Sequence, residues 1–419
     1  MIISDPKSIL LPNGLQVVFV PHKESSSITI HVRGKAGSNY EYPNEISVAH
    51  LAEHLIIRKS QNLINDTGGR VVTLTSRDDV LFMVKVLKRD VEKGFKFLSD
   101  NLIDIKLNDE NLEITKEIVR NEIKRSTEIP EKFIAQLPYK SLYPTSRLSG
   151  LNTGESENLE NITIDKIGTF VDRCYCAKRF ILVVCGNLKK DRVFKLAEKY
   201  FANMKGGALA EKLTHKMNQK FLVHSINKLI CTQAHIRIDF YGYTLSERKR
   251  YASEHLTKII DGYLKTTFRS RLGYAYSVGC SSFSTGSYGL TAIYIAVKED
   301  NAFDTFCEIK LMLKNLEKLI KIKNLRLVKN QILSNIAFEV EKTSPRADFY
   351  SQMWLHTNSK ITLKNEIKNF EKVKRGDVIK VANDLLHQKP KITVLSQNLT
   401  EEEVKKWWHE SSHFHPSRK

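Results

Sequence analysis

The chain has 419 residues, too many for one ordinary hydrophobic core, so length alone favours two domains. With 41% hydrophobic and 27% charged residues it has the composition of a globular protein, which excludes wholesale disorder, and no apolar run is long enough to span a bilayer as a helix. The formal net charge of +19 raises a nucleic-acid or anionic-surface partner, yet the basic residues are spread along the chain and interleaved with glutamate, as in KEIVRNEIKR, without an RNA-binding signature or a zinc finger.

The chain opens MIISDPKSILLPNGLQVVFV, with an early acidic residue and no series of basic region, apolar core and cleavage site. It reads as a chain without an export signal, and the expected location is cytoplasmic. From Leu15 the pattern alternates, with Leu15, Val17 and Phe19 on one side and Ile28, Ile30 and Val32 in the next run. These are strands, punctuated by turns at Asn13-Gly14 and at Lys35 to Ser38. From Ser47 the period becomes helical, with Val48, Leu51, Leu55 and Ile56 apolar and Ser47 available as the N-cap. Gly68-Gly69 opens a strand pair over RVVTLTSRDDVLFMVKVL, and helices are expected at about 90–103 and 109–128.

Two stretches further on repeat one order of elements. The run from Asp165 passes through FILVVCGNL into an amphipathic helix, and the run from Gly376 passes through KITVLSQNL into another. A second echo pairs AHLAEHL, from Ala49, with RYASEHL, from Arg250, where Tyr251 stands in the place of His50. Glycines and polar residues at 206–219 predict a linker between a domain of residues 1–205 and a related one of 220–419. The expected class is α+β: two similar halves, each a largely antiparallel sheet with helices packed on one face. The six cysteines, at 174, 176, 185, 231, 280 and 307, lie mostly beside apolar sequence and suit reduced thiols. Cys174 and Cys176 form a CxC pair with no second pair or nearby histidine to complete a metal site.

In HLAEH, His50, Glu53 and His54 fall at i, i+3 and i+4, which turns all three side chains to one face of a helix. Two imidazoles suit zinc, and the order H-x-x-E-H inverts the commoner H-E-x-x-H metal motif. Taken alone, the same five residues also read as a polar stripe on a solvated helix.

The segment LPNGLQVVFVPHKESSSITIHVRGKAGSNYEYPNEISVAHLAEHL resembles the active-site region of the pitrilysin and insulysin family of zinc peptidases, which includes the mitochondrial processing peptidases. Lys35-Ala36-Gly37-Ser38 and Glu41 match the family's lead into the H-x-x-E-H helix. The resemblance continues through EIVRNEI, GGRVVTLTSRDDVLF, LVVCGNLKKDRVFKLAEKYF and FRSRLGYAYSV, and so covers most of the chain in order. It implies one zinc per chain, held by His50, His54 and Glu122, with Glu53 as general base and acid. It further implies that Arg269 and Tyr276 hydrogen-bond the substrate or its oxyanion, and that the substrate is a peptide or unfolded polypeptide added as a strand near residues 70–76. In relatives this short the chamber forms from two subunits, so a homodimer is expected, with a heterodimer of related subunits as the alternative. A catalytically silent subunit of the same fold and a basic nucleic-acid-binding protein are the competing functions. The chain departs from the family pattern in three places. Thr115 stands where many relatives carry a second glutamate, with Glu117 as the nearest substitute, Val72 replaces an asparagine, and IIRKS replaces small residues after the motif helix.

Overall fold

The computed structural model describes residues 4–57, 61–151, 154, 156–228, 231–357 and 360–410. Strands β1 (Lys7–Leu10), β2 (Gln16–Pro21), β3 (Ser27–Gly34), β4 (Arg70–Thr75), β5 (Val80–Leu87) and β6 (Phe180–Gly186) form one sheet, in the order β1-β2-β6-β3-β5-β4. Strands β7 (Leu222–Asn227), β8 (Ala234–Tyr241), β9 (Val278–Ser284), β10 (Gly289–Val297) and β11 (Lys391–Ser396) form a second, in the order β7-β11-β8-β10-β9. The last five strands of the first sheet and the five of the second follow one scheme. In each, the first strand pairs in parallel with the last of the half, β2 with β6 and β7 with β11. All other pairings are antiparallel. The helices Val48–Ile56 and Lys249–Leu264 occupy the same step in the two halves, between the second and third of these strands, as the echo AHLAEHL/RYASEHL requires.

Period-two alternation sorts each strand's side chains between two cores. In β2, Val17 and Phe19 join the larger core, while Val18 and Val20 face a smaller one on the opposite side. The larger core holds Phe82, Phe95, Phe97, Phe170 and Phe201, each fully buried under helices that include Val91–Leu102 and Lys190–Phe201. Each such ring stabilises the fold by roughly 1.5–3 kcal/mol relative to exposure. Helices on one face therefore account for this core. The opposite face is covered too, by the helix Thr343–His356, whose Ala347 and Tyr350 meet Val18, Val20, Ile181 and Val183.

That helix corrects the expected domain boundary. The chain divides into one compact unit of residues 1–125, 150–214 and 334–367 and another of 126–149, 215–333 and 368–419, so no single cut within 206–219 separates them. The physical reason for the late segment's place is polar as well as apolar. On its second face β3 presents Thr29, His31 and Arg33, all buried. Thr29 donates to Thr343 at 2.8 Å, Arg33 bonds Asp79 at 2.7 Å and also meets Ser351 and Asp348, and His356 bonds Asp79 at 2.7 Å. A buried guanidinium without these acceptors would cost several kcal/mol. No early segment of the sequence supplies them all.

Burial would raise the Asp79 carboxyl, but Arg33 and His356 outweigh it and hold it at about 2. His31 is driven down to about 3, first by burial and then by the charge of Arg33. An unfolded histidine titrates near about 6.5, so below that pH the unfolded chain binds a proton that the folded chain refuses. Stability is therefore full above about pH 6.5 and falls as pH drops. Between pH 6.5 and 5 the loss from this group is about 2 kcal/mol. Urea unfolding midpoints measured across that range should fall less steeply for His31→Gln than for the wild type, whatever the variant's starting stability.

Candidate metal centre

The turn after β3 sets the start of the motif helix. Gly37 packs so closely on the β4–β5 connection that a Cβ would lie 2.4 Å from the Ser76 carbonyl oxygen, which leaves glycine as the residue that fits. Ser38 and Asn39 donate their amides to Ser76 and Arg77, and the Asn39 side chain donates to Asp78 at 2.7 Å. The helix Val48–Ile56 follows, and every residue in it except His54 is buried.

Its cap differs from the sequence expectation. Ser47 sits at φ 82°, in the left-handed region, and its hydroxyl caps nothing and has no hydrogen-bond partner among the described residues. Extended backbone is what lets an N-cap serine reach the first-turn amides, and Ser47 lacks it. Glu41 does that work from a distance, accepting the Ala49 amide at 2.8 Å. Its burial pushes the carboxyl up to about 8, against the bonds from Ala49 and Ser47 that favour the charged form.

On this helix His50 and His54 bring their Nε2 atoms within 3.2 Å of each other, with rings crossed at 66°. Glu122, on the helix Asp109–Glu128, brings Oε2 to 3.3 Å from His50 Nε2 and 3.5 Å from His54 Nε2. The hydrogen bond to His50 holds the Glu122 carboxyl below its ordinary value despite partial burial. Ligands about 2.0–2.1 Å from a tetrahedral zinc lie roughly 3.3 Å apart, so this donor triangle fits one face of such a site. Side-chain exposure rises from 11% at His50 through 24% at His54 to 46% at Glu122, which leaves one side open for a further ligand. Among the described residues no other group of three histidine, cysteine or acidic side chains comes together in this way.

Glu53 lies in the same helical turn, buried, and its Oε2 accepts a hydrogen bond from Thr75 Oγ1 at 2.7 Å. Its other oxygen has no partner among the described residues. Thr75 ends β4, the edge strand of the sheet, where Val72 and Leu74 are 44% and 53% exposed. A cavity of about 370 Å³ opens beside that edge, between Ile57 and residues 69–73.

The family model described as Insulinase (Peptidase family M16) matches residues 17–149, and the one described as Peptidase M16 inactive domain matches residues 161–332. The chain belongs to peptidase family M16. Among M16 relatives, an uncharacterized zinc protease of Rickettsia bellii is 22% identical over 93% of this chain and 97% of its own length. The mitochondrial-processing peptidase subunit beta of Saccharomyces cerevisiae is 22% identical over 91% of this chain and 88% of its own. A protease from Helicobacter pylori has the same fold, with a TM-score of 0.86 at 19% identity over 94% of this chain and all of that one.

The second M16 half has no such donor triangle among its described residues. In the place of His50, the Tyr251 hydroxyl is bonded by Arg250 and Asn369, and His255 turns Nδ1 to the Tyr251 carbonyl oxygen. Arg269 and Tyr276 do come together, the guanidinium 5.0 Å from the ring centroid. Arg269 lies in a π-helical turn, Lys265–Arg271, a form that often marks functional positions, and Tyr276 is 84% exposed. Of the departures from the M16 pattern, Thr115 is fully buried, and Glu117 is an exposed partner of Arg120 that makes no bond to the triangle. Residues 58–60 of IIRKS lie outside the described residues. Sequence reasoning missed Thr75 and the capping role of Glu41, because neither stands at a spacing that links it to the motif helix.

If the triangle holds zinc, His54→Ala should reduce bound metal from one per chain to near zero by elemental analysis, with the far-ultraviolet circular dichroism unchanged. Glu117→Ala should leave the metal in place.

Proposed function

We propose that this M16 chain is a zinc-dependent endopeptidase of extended peptides or unfolded polypeptides, with His50, His54 and Glu122 as ligands and Glu53 as general base and acid. The observation that carries the reading is the triangle of donor atoms, 3.2 to 3.5 Å on a side, with a buried carboxylate one residue from a ligand. It favours catalysis over a silent subunit, since the full donor set and Glu53 are both present. Relatives named zinc proteases support the metal.

An ion in this site supplies polarisation of the scissile carbonyl and a water whose pKa falls toward about 7. Glu53 accepts the proton of the attacking water and returns it to the departing amine nitrogen. Thr75 occupies Oε2, so Oε1 is the oxygen left to carry that proton. The substrate lies along β4, an edge strand of the sheet, and adds to it as a further strand. Val72 and Leu74, exposed on the strand, suit segments that a folded protein would bury.

Arg269 and Tyr276 donate hydrogen bonds to the developing oxyanion or to the substrate backbone. A second copy of the chain supplies them, because one sequence carries both motifs and a relative is itself named as a subunit. Six free, buried cysteines suit a reducing compartment such as the cytoplasm.

Glu53→Gln should keep zinc and lose peptide hydrolysis by a factor of about 100 or more. Turnover near the wild-type level, with zinc bound, would overturn the assignment of the base. For the dimer, inactive Glu53→Gln and inactive Arg269→Ala chains should regain activity on mixing, to at most about half of wild type, since each mixed pair holds one whole site. A mixture that stays inactive while subunits demonstrably exchange assigns both motifs to one chain.

A further inference from the structure

The larger core of the first unit contains a polar group that the fold does not use. Tyr175, directly after the helix Ile164–Cys174, is 5% exposed, and its hydroxyl is buried without a hydrogen-bond partner among the described residues. Buried tyrosine hydroxyls normally find a partner, and leaving one unpaired costs stability. A phenylalanine would fill the same space without that cost. The ring itself is fixed by Phe180, Phe82 and Phe170, whose centroids lie 5.4, 6.2 and 6.4 Å away.

This aromatic cluster lies on the side of the sheet that carries the motif helix. In the β4–β5 pairing Thr73 stands opposite Phe82 and Thr75 opposite Val80, so Phe82 and Thr75 present their side chains to one face. Thr75 uses that face to bond Glu53. Ala49 and Ala52, four residues and one residue before Glu53, are fully buried in the same core as Tyr175 and keep the underside of the helix free of bulk. The charge of Glu53 reaches the phenol: after burial, it is the next cause that holds the Tyr175 hydroxyl well above its ordinary value.

The repeat supplies an independent comparison. Tyr175 stands twelve residues before Asn187, and in the second half Leu386 stands twelve residues before Asn398. The second half has the Glu254–Ser282 bond that parallels Glu53–Thr75, but no donor triangle among its described residues and no hydroxyl at this position. The phenol therefore accompanies the triangle and not the sheet.

We propose that Tyr175 is a positioning residue for Glu53, its hydroxyl dipole restraining from the core the carboxylate that Thr75 bonds from the strand. The proposal rests on Glu53 being the base of the proposed peptidase. One hydrogen bond leaves a carboxylate free to turn about it, and a second fixed dipole narrows that swing. The dipole is already in place before the reaction starts, so it costs no reorganisation during proton transfer.

Two measurements on the full chain test it, the first without substrate. The fluorine resonance of 3-fluorotyrosine placed at position 175 should move in Glu53→Gln and stay in place in Glu117→Gln. A resonance that ignores Glu53→Gln overturns the proposal, whether or not the chain hydrolyses peptides. In turnover, Tyr175→Phe should keep one zinc per chain, melt no lower than the wild type, and lower kcat about tenfold with KM unchanged. Wild-type kcat, or a loss of kcat that comes with a lower melting temperature, assigns the hydroxyl to packing and overturns the proposal. A wild-type chain that cleaves no peptide while the resonance follows Glu53 removes the peptidase reading and supports the contact between Tyr175 and Glu53.

Discussion

The triangle of His50, His54 and Glu122 donors depends on where one nine-residue helix begins. Nearly all of Val48–Ile56 is buried, so a small shift along its axis would carry His50 and His54 away from Glu122 together. Two contacts resist that shift. Glu41 holds the N-terminal amide of Ala49, and Thr75 holds Glu53 from the strand beside it. The approach of Gly37 to the Ser76 carbonyl fixes the turn from which the helix starts. Catalytic geometry tolerates displacements well under an ångström, which is why rigid second contacts matter as much as the donor atoms.

The two halves show how one sheet order supports different chemistry. The equivalent helix of the second half keeps a glutamate, Glu254, which accepts from Ser282 at 2.6 Å much as Glu53 accepts from Thr75. What changes is the donor set. A tyrosine hydroxyl bonded by Arg250 and Asn369 takes the place of the His50 imidazole, and His255 is fully buried. The second half therefore has the supporting bond without the donor triangle, and the two halves differ in the few side chains placed on a shared fold.

Much of this was legible in the sequence because it is local. Strand alternation at Val17 and Phe19, the helical period after Ser47 and the i, i+4 histidines all depend on near neighbours. Glu122 could be singled out only through the resemblance of EIVRNEI to a known pattern, since no spacing rule connects it to His54. The helix Thr343–His356 was hidden for another reason. Its buried side includes Thr343, Arg346 and Ser351 as well as Ala347, Tyr350 and Met353, because it covers a sheet face that is itself partly polar. A mixed stripe of that kind gives no clean apolar period to read. Ser47 misled because composition identifies a cap and only backbone conformation decides whether it acts as one.

The exchange of segments between the units has a consequence for how the protein is made. The first unit's sheet is complete once Gly186 has been synthesised, but the helix that covers Val18, Val20, Ile181 and Val183 does not arrive until residues 343–356. At translation rates of about 5–20 residues per second, the ribosome needs on the order of ten to thirty seconds to supply it. Throughout that interval a strip of β-branched side chains faces the solvent on a nascent chain, beside an Arg33–Asp79 pair that still lacks Ser351, Asp348 and His356. Such a surface is a target for holding chaperones, and it ties the yield of soluble protein to the pace of elongation through the second half.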